Sequence, residues 1–288
     1  MTYKTEMQSI LDKIINVSVQ DYYNPYDHFK WPDKLEEDVM WMPLELMSIY
    51  NTHYLDDMSH EEIIKLSKWE SINFYSMNVH NIRELLISVM ERVHMPGFEE
   101  QSEYFHHFIG EENEHMYFFA KFCLNYGGKI YHMKKIRFES EYDKEIENFI
   151  VFTQILLFEE IVDYYNLKMS KDQNLHPIIR EINKIHHQDE SRHIAFGRML
   201  VKYLWKKIKE KYSGSDISEL QNYLNNYIIS GFQDFYNPTV YKDAGLSNHF
   251  EMRTNLMTMS SRQEVHKQVS KKVIDFMLKN EILNKEVF

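Results

Sequence analysis

The sequence is short of the residues that build disulfides, tight turns and cysteine-rich metal sites. Its 288 residues include one cysteine, eight glycines and six prolines. The single cysteine, Cys123, excludes an internal disulfide and every zinc or iron–sulfur site that needs several thiolates. So few turn residues disfavour a sheet-rich protein with many hairpins. Any metal that this chain binds is therefore expected to rely on histidine and carboxylate ligands.

The chain also lacks a long apolar run and an excess of positive charge. Its longest apolar stretch, 149–158, is interrupted by Thr153 and Gln154 and is far shorter than the roughly 20 residues of a membrane span. A net charge of −11 disfavours a general nucleic-acid binder. The first residues show neither the basic nor the apolar segment of a signal peptide. We therefore expect a cytoplasmic protein with no membrane or nucleic-acid partner.

Between the few breakers the sequence has helical periodicity. Ser59 and Glu62 have the spacing of a capping box, which predicts the beginning of a long helix. The pair Gly127-Gly128 predicts the end of a second helix, and Pro177 predicts the first turn of a fourth. The predicted helices cover 59–94, 99–125, 142–170, 177–211, 216–235 and 260–280.

Four long segments in two hairpins predict an all-α fold, an antiparallel four-helix bundle with additional flanking helices. We expect one helical domain over residues 1–288. The bundle core is expected at about 59–211, with flanking helices in 1–58 and 212–288.

A Glu-x-x-His motif places both side chains on one face of a helix, and four-helix bundles use such motifs to hold two metal ions. The first of the four motifs adjoins the Pro96-Gly97 turn, and the second precedes the third by nine residues, which turns it to the opposite face at about 100° per residue. We therefore predict the third and fourth as ligand pairs. The four motifs are Glu91/His94, Glu103/His106, Glu112/His115 and Glu190/His193.

A third histidine shares the helical stripe of the last motif. His186, Glu190 and His193 are spaced at i, i+4 and i+7. Burial of three ionisable side chains is costly unless they are paired or bind metal. His186 is therefore predicted as a further ligand.

Residues of a helical hairpin that are equally far from its turn lie at the same height. This rule predicts one carboxylate ligand on the first and one on the third of the four long helices. Glu159 and Glu160 both fit the height of Glu190. On the first helix Glu84 fits better than Glu70, which lies about 21 Å farther along at 1.5 Å per residue. The first ligand is thus predicted to be Glu84, with Glu70 as the alternative, and the third helix supplies Glu159 or Glu160.

The predicted donors are carboxylates and imidazoles, which suit iron or manganese and do not exclude zinc. Glu111 and Asp189 each precede a motif glutamate, and we expect them to orient ligating histidines by hydrogen bonds, with Arg192 neutralising them. The sequence has no Gly-rich phosphate loop, so electrons are expected to come from an external donor or reductase.

These residues resemble those of a known family. The segment 189–193, Asp-Glu-Ser-Arg-His, resembles the Asp-Glu-x-Arg-His motif of bacterial di-iron hydroxylases. The additional histidine at position 186, in the pattern His186-x-x-x-Glu190-x-x-His193, resembles the p-aminobenzoate N-oxygenase family of ferritin-like non-haem di-iron oxygenases. The spacing from Glu159 through His176-Pro177 to His186 also resembles that family and favours Glu159. The resemblance covers roughly residues 60–200, whereas the interval from Glu84 to Glu112 is shorter than in the family.

The resemblance implies a ferritin-like bundle that holds two iron ions, with manganese as an alternative, and activates O2. The expected reaction is oxygenation of a small organic substrate, foremost an aromatic amine, with electrons from an external reductase. Family analogy also suggests a homodimer. The alternatives are a di-iron carbon hydroxylase or desaturase, acting on a carrier-bound substrate, and a non-catalytic ferritin-like iron-binding protein. The expected ligands are Glu84, Glu112, His115, Glu159, His186, Glu190 and His193.

Overall fold

The computed structural model describes residues 3–133 and 143–288. The described residues contain no β-strand, which confirms the predicted all-α fold. Their helices are α1 (Tyr3–Gln20), α2 (Pro25–His28), α3 (His53–Asp57), α4 (His60–Met90), α5 (Ser102–Phe122), α6 (Lys144–Lys171), α7 (Pro177–Lys211), α8 (Gly214–Gly231), α9 (Pro238–Asp243), α10 (His249–Thr258) and α11 (Ser260–Lys279).

The four long helices α4–α7 form the centre of the molecule. Helix α4 packs along α5 and α6 packs along α7, and further contacts join α5 to α7 and α4 to α6. The capping box predicted for α4 is present, because Ser59 and Glu62 satisfy each other's backbone N–H groups. Pro177 is the first residue of α7, as predicted. These caps fix where two of the ligand-bearing helices begin.

The connection between α4 and α5 is longer than predicted. Helix α4 ends at Met90 instead of His94, and α5 begins at Ser102 instead of residue 99. Residues 91–94 form turns that end in a left-handed His94 with φ 57°. Because the connection grows by four residues on the α4 side and three on the α5 side, the residues of the two helices that lie at the same height are almost unchanged.

Helix α5 ends in a wider turn. Residues Cys123–Gly127 form a π-helical turn, and Gly128 then adopts the predicted left-handed conformation with φ 67°. The third of the long helices, α6, begins at Lys144. The predicted beginning at residue 142 lies outside the described residues. The predicted helix 216–235 consists of α8 and a 3-10 turn over Phe232–Phe235.

Flanking helices cover the sides of the central four. Helix α1 packs on α5 and α7, α9 packs on α4, and α11 packs on α6. Large aromatic side chains fill the space between helices; Phe149, for example, stacks on Trp205 between α6 and α7. None of the described helices is long and apolar enough to cross a membrane.

Candidate metal centre

Acidic and imidazole side chains from three of the central helices meet in the interior. Helix α5 supplies Glu112 and His115, and α7 supplies the pair Glu190 and His193. One ligand atom from each of these four residues lies within 4.8 Å of the others. This is the only such group of three or more histidines, cysteines and acids in the described parts of the chain. All four residues are at most 2% exposed.

Two further predicted ligands adjoin this cluster. The Nε2 atom of His186 is 2.8 Å from Oε1 of Glu190. On α6, Oε2 of Glu159 lies 4.0 Å from Nδ1 of His193. Both residues are 1% exposed. The structure therefore brings six of the seven predicted ligands together.

The carboxylates of Glu112 and Glu190 lie between the two motif histidines. The Oε1 atom of Glu112 is 3.5 Å from Nδ1 of His115 and 2.8 Å from Nδ1 of His193. Glu190 places Oε1 at 3.7 Å from His115 and Oε2 at 3.5 Å from His193. Each carboxylate thus faces both imidazoles.

The inward-facing atoms of this cluster have no hydrogen-bond partner. They are both carboxylate oxygens of Glu112 and of Glu190, Oε1 of Glu159, Nδ1 of His115 and of His193, and Nε2 of His186. The close approaches given above therefore lack hydrogen-bond geometry. Buried polar atoms are rarely left unpaired, so this set fits bound metal ions, which would satisfy all of them.

The outward-facing nitrogens, in contrast, are all held. Nε2 of His115 is 2.9 Å from Oδ2 of Asp189, and Nε2 of His193 is 2.7 Å from Oε2 of Glu111. Arg192 joins the two acids, since one of its terminal nitrogens donates to Glu111 at 2.8 Å and to Asp189 at 2.6 Å. These contacts fix each imidazole with its other nitrogen pointing inward.

One outer contact was missed by sequence reasoning. The Nδ2 atom of Asn166 is 2.5 Å from Nδ1 of His186, and the amide oxygen of Asn166 has no hydrogen-bond partner. Turning this amide lets its oxygen accept from Nδ1–H, which leaves Nε2 of His186 free to bind a cation. A signal exists in the sequence, because Asn166 follows Glu159 by seven residues and so shares its helical face.

The charges in the cluster shift its pKa values strongly. Burial disfavours the protonated imidazole of His115, but Glu112 and Asp189 outweigh it and raise the pKa to about 10. Burial also disfavours ionised Glu111, yet His193 and Arg192 lower its pKa to about 2. Burial and the neighbouring charge of His115 lower the pKa of His186. The cluster is thus a negative environment that holds protons where cations would otherwise bind.

The two consecutive glutamates of α6 have different partners. Glu159 turns toward His193, whereas Glu160 makes a two-pronged ion pair with Arg198, at 2.7 Å to Nε and 2.6 Å to a terminal nitrogen. Of the two alternatives, the structure brings Glu159 to the cluster and occupies Glu160 elsewhere.

The structure does not bring the predicted α4 carboxylate to the cluster. Glu84 is 3.2 Å from the Arg83 guanidinium, its side chain is 31% exposed, and it lines a cavity of about 280 Å³ between α4, α6 and α8. The alternative, Glu70, is buried but accepts hydrogen bonds from the backbone N–H and hydroxyl of Ser48. The reason is the rotation of α4, because the face that carries Glu84 is turned to the cavity between α4, α6 and α8 and not to the cluster.

A narrow apolar cavity adjoins the cluster. Glu159 and His193 form part of its wall, and the rest is apolar, made largely of phenylalanine rings such as Phe105 and Phe152. Gly197 also lines it, and a Cβ atom there would lie 3.1 Å from Leu156, so α7 packs tightly on α6 at this point. The wall next to these ligands therefore excludes polar solvent.

Comparison with known proteins identifies relatives of the chain. The family model for p-aminobenzoate N-oxygenase AurF matches residues 4–280. Uncharacterized proteins from Mycobacterium tuberculosis and Mycobacterium bovis are 22% identical over 213 residues, which are 70% of this chain. The chain spans 62% of the length of these curated relatives.

Two solved structures resemble the fold. One is the R2-like ligand-binding oxidase from Sulfolobus acidocaldarius, with 16% identity and a TM-score of 0.45 over 96% of this chain and 92% of that one. The other is an R2-like ligand-binding oxidase without metal cofactor, with 14% identity and a TM-score of 0.44 over 99% and 98%.

Proposed function

From the chain's membership of the p-aminobenzoate N-oxygenase family, we propose that it is a non-haem di-iron oxygenase that oxygenates the nitrogen of a small aromatic amine. The proposed iron ligands are Glu112, His115, Glu159, His186, Glu190 and His193. Manganese has the same ligand preferences and is the alternative metal.

The inward-facing donor atoms without hydrogen-bond partners carry this proposal. A structural polar network would pair these atoms with one another, because unsatisfied buried groups are costly. Here three imidazoles are anchored on their outer nitrogens and present the inner ones to the same space as the carboxylates. Imidazole and carboxylate without thiolate form the ligand set expected for non-haem iron.

The charge of the cluster supports two divalent ions. When ionised, Glu112, Glu159 and Glu190 contribute three negative charges. Glu111, Asp189 and Arg192, linked by hydrogen bonds, add one more negative charge in total. The resulting charge of −4 matches two divalent cations, so the buried site is neutral when both are bound.

An iron pair would supply the O2-activating redox chemistry, and the protein groups would hold and shield it. For one oxygenation the balance is ArNH2 + O2 + 2 e⁻ + 2 H⁺ → ArNHOH + H2O. The two electrons come from an external reductant, a reduced iron–sulfur or flavin protein. Glu111 and Asp189 hold the N–H groups of His193 and His115, and the apolar wall beside Glu159 keeps water from the reacting oxygen.

The test combines metal analysis with a single turnover. We expect protein from iron-replete cells to contain about two iron ions per chain, and the reduced protein to convert an arylamine such as p-aminobenzoate with incorporation of ¹⁸O from ¹⁸O2, detected by mass spectrometry. Glu190→Gln is expected to abolish both iron binding and product. The matched control is Glu160→Gln, because Glu160 is also a buried glutamate of the central helices but is paired with Arg198.

Distinct results would contradict distinct parts of the proposal. Unchanged iron content in Glu190→Gln would refute the ligand assignment. Label on carbon instead of nitrogen would favour the hydroxylase alternative. Iron uptake without any oxygenated product, together with assembly into a cage, would favour the iron-binding alternative.

A further inference from the structure

Helix α4 is the one central helix from which the structure brings no carboxylate to the cluster, although it packs against α5 and α6, which both carry proposed ligands. Its interior stripe instead contains Tyr75, Asn78 and Ile82, each 0% exposed. Tyr75 and Asn78 each carry an oxygen that can bind metal, and that of Tyr75 already accepts a hydrogen bond from Asn183. What Asn78 faces follows from the neighbours of Tyr75.

Tyr75 fixes the height of α4 relative to α5 and α7. Its ring stacks on Phe119 with centroids 5.1 Å apart, and its hydroxyl accepts a hydrogen bond of 2.7 Å from Asn183. One turn away from these contacts, α5 carries His115 and α7 carries His186. Those two rings are in contact, with centroids 4.5 Å apart.

One turn along α4 in the same direction leads to Asn78. Helices α4 and α5 are antiparallel, so a step from Tyr75 to Asn78 runs alongside the step from Phe119 to His115. The step from Asn183 to His186 runs in this direction as well, because it too ends at the His115 ring. Asn78 therefore lies on the interior face of α4 at the height of both histidines.

The side chain of Asn78 is oriented by one bond and unpaired at the other end. Its Nδ2 donates to the carbonyl oxygen of Phe74 at 2.8 Å, one turn back along α4. Its Oδ1 is buried and has no hydrogen-bond partner. The amide oxygen is thus in the same condition as the inward atoms of the ligands.

We propose that Asn78 is the contribution of α4 to the metal centre, a neutral amide oxygen where a carboxylate would add negative charge. The inference rests on the proposed di-metal function. A neutral donor agrees with the charge count, since a fourth carboxylate ligand would bring the cluster to −5 against two divalent cations. The metal position nearest His115 then has one anionic donor fewer and is the weaker of the two.

The experiment titrates metal-free protein with Mn²⁺, which binds without reacting with O2, by calorimetry. We expect two sites of unequal affinity in the unmodified protein. Asn78→Asp, nearly the same size with a charged oxygen, should tighten the weaker site by about tenfold, the order by which ligand surroundings change metal affinity. Asn78→Leu, nearly the same size without the oxygen, should weaken that site by a similar factor.

Asn81 provides the matched control. It lies three residues along the same helix, and its Nδ2 likewise donates to the carbonyl one turn back, at 3.0 Å from Met77. Its side chain lines the cavity between α4, α6 and α8. Asn81→Asp and Asn81→Leu should leave both Mn²⁺ affinities within about twofold of the unmodified protein.

The outcomes separate this inference from the function on which it rests. If Asn78→Leu folds, as judged by circular dichroism, and keeps both affinities, Asn78 is not a donor and the inference is overturned while the di-metal site stands. If Asn78→Leu fails to fold, Asn78→Asp decides by the same criterion. If the unmodified protein binds no Mn²⁺ or Fe²⁺, the proposed function is overturned as well.

Discussion

Glu159 and Glu160 are neighbours on α6, yet their carboxylates belong to different parts of the protein. Glu159 is directed to His193 across the α6–α7 interface, with Oε2 at 4.0 Å from Nδ1. Glu160 is held by the Arg198 guanidinium through two hydrogen bonds. A rotation of about 100° between consecutive residues of a helix is sufficient for this division.

The different partners of Glu159 and Glu160 predict that the same substitution lowers the metal content at the first position and leaves it unchanged at the second. Glu159→Gln should lose about one of the two metal ions per chain, because an anionic donor is replaced by a neutral one. Glu160→Gln should keep both ions and lose part of the ion pair with Arg198. Metal analysis of the two purified variants is the measurement, and equal metal content in both would contradict the assignment.

The two acids that are hydrogen-bonded to ligating histidines predict a partial loss of metal affinity when either is neutralised. Asp189→Asn and Glu111→Gln should each weaken metal affinity by about 10–100-fold, because the imidazole loses a charged acceptor that orients it and raises its basicity. The measurement is competition with a chelator of known affinity.

A second histidine–acid pair on the same helices serves as control. Asp163 on α6 lies 2.5 Å from Nδ1 of His187 on α7, outside the inward-facing cluster. Asp163→Asn should leave metal affinity unchanged. An equal loss in all three variants would mean that general stability of the α6–α7 pair, and not orientation of the ligands, is being measured.

Glu70 predicts a pH dependence of stability that is independent of metal. Burial raises the pKa of this carboxyl to about 7, although Ser48 and the positive charge of Arg262 favour its ionised form. Tyr241 of α9, which donates to the Ser48 hydroxyl, also packs here. A raised pKa in the folded state means that the stabilisation is present below the ordinary value of 4.5 and is lost as the pH rises through about 7.

The comparison variant is Glu70→Gln, which stays neutral and can keep both contacts with Ser48. Between pH 5 and pH 8 the free energy of unfolding of the unmodified protein should fall by up to about 3 kcal/mol relative to this variant. Urea denaturation of the metal-free proteins at each pH gives this difference. Parallel pH profiles would show that Glu70 titrates normally.

Gly127, in the π-helical turn that follows α5, predicts a packing limit against α4. A Cβ atom at this position would lie 2.8 Å from Cδ1 of Ile72, and two more atoms of Ile72 would be 3.0 Å away. Gly127→Ala should therefore reduce the free energy of unfolding by about 1–3 kcal/mol, the usual cost of overpacking. Thermal or urea unfolding measures it.

The control for this change is Gly110→Ala, in the exposed middle of α5 with no neighbouring atom within 4 Å of the added Cβ. There alanine should increase stability by up to about 1 kcal/mol through its higher helix propensity. A loss of stability at both positions would mean that replacing glycine in this part of the chain is destabilising in general, and not through the contact with Ile72.

The sequence by itself determined the features that depend on neighbouring residues along one helix. The capping box at Ser59, the first turn at Pro177 and the ligand pairs on α5 and α7 could all be predicted, because caps and i, i+3 or i, i+4 spacings are local. The same applies to Glu111 and Asp189, which adjoin the motif glutamates and reach the outer nitrogens of the opposite helix's histidines.

Only the tertiary structure decided what α4 presents to the cluster. Counting from the Pro96-Gly97 turn favoured Glu84 by its height, but such a count does not give the rotation of α4 about its axis, and the structure turns Glu84 to the cavity between α4, α6 and α8. The stacking of Tyr75 on Phe119 then sets both the height and the rotation of α4, and it turns Asn78 inward and Glu84 outward. Such contacts join residues far apart in the chain, so no local spacing encodes them.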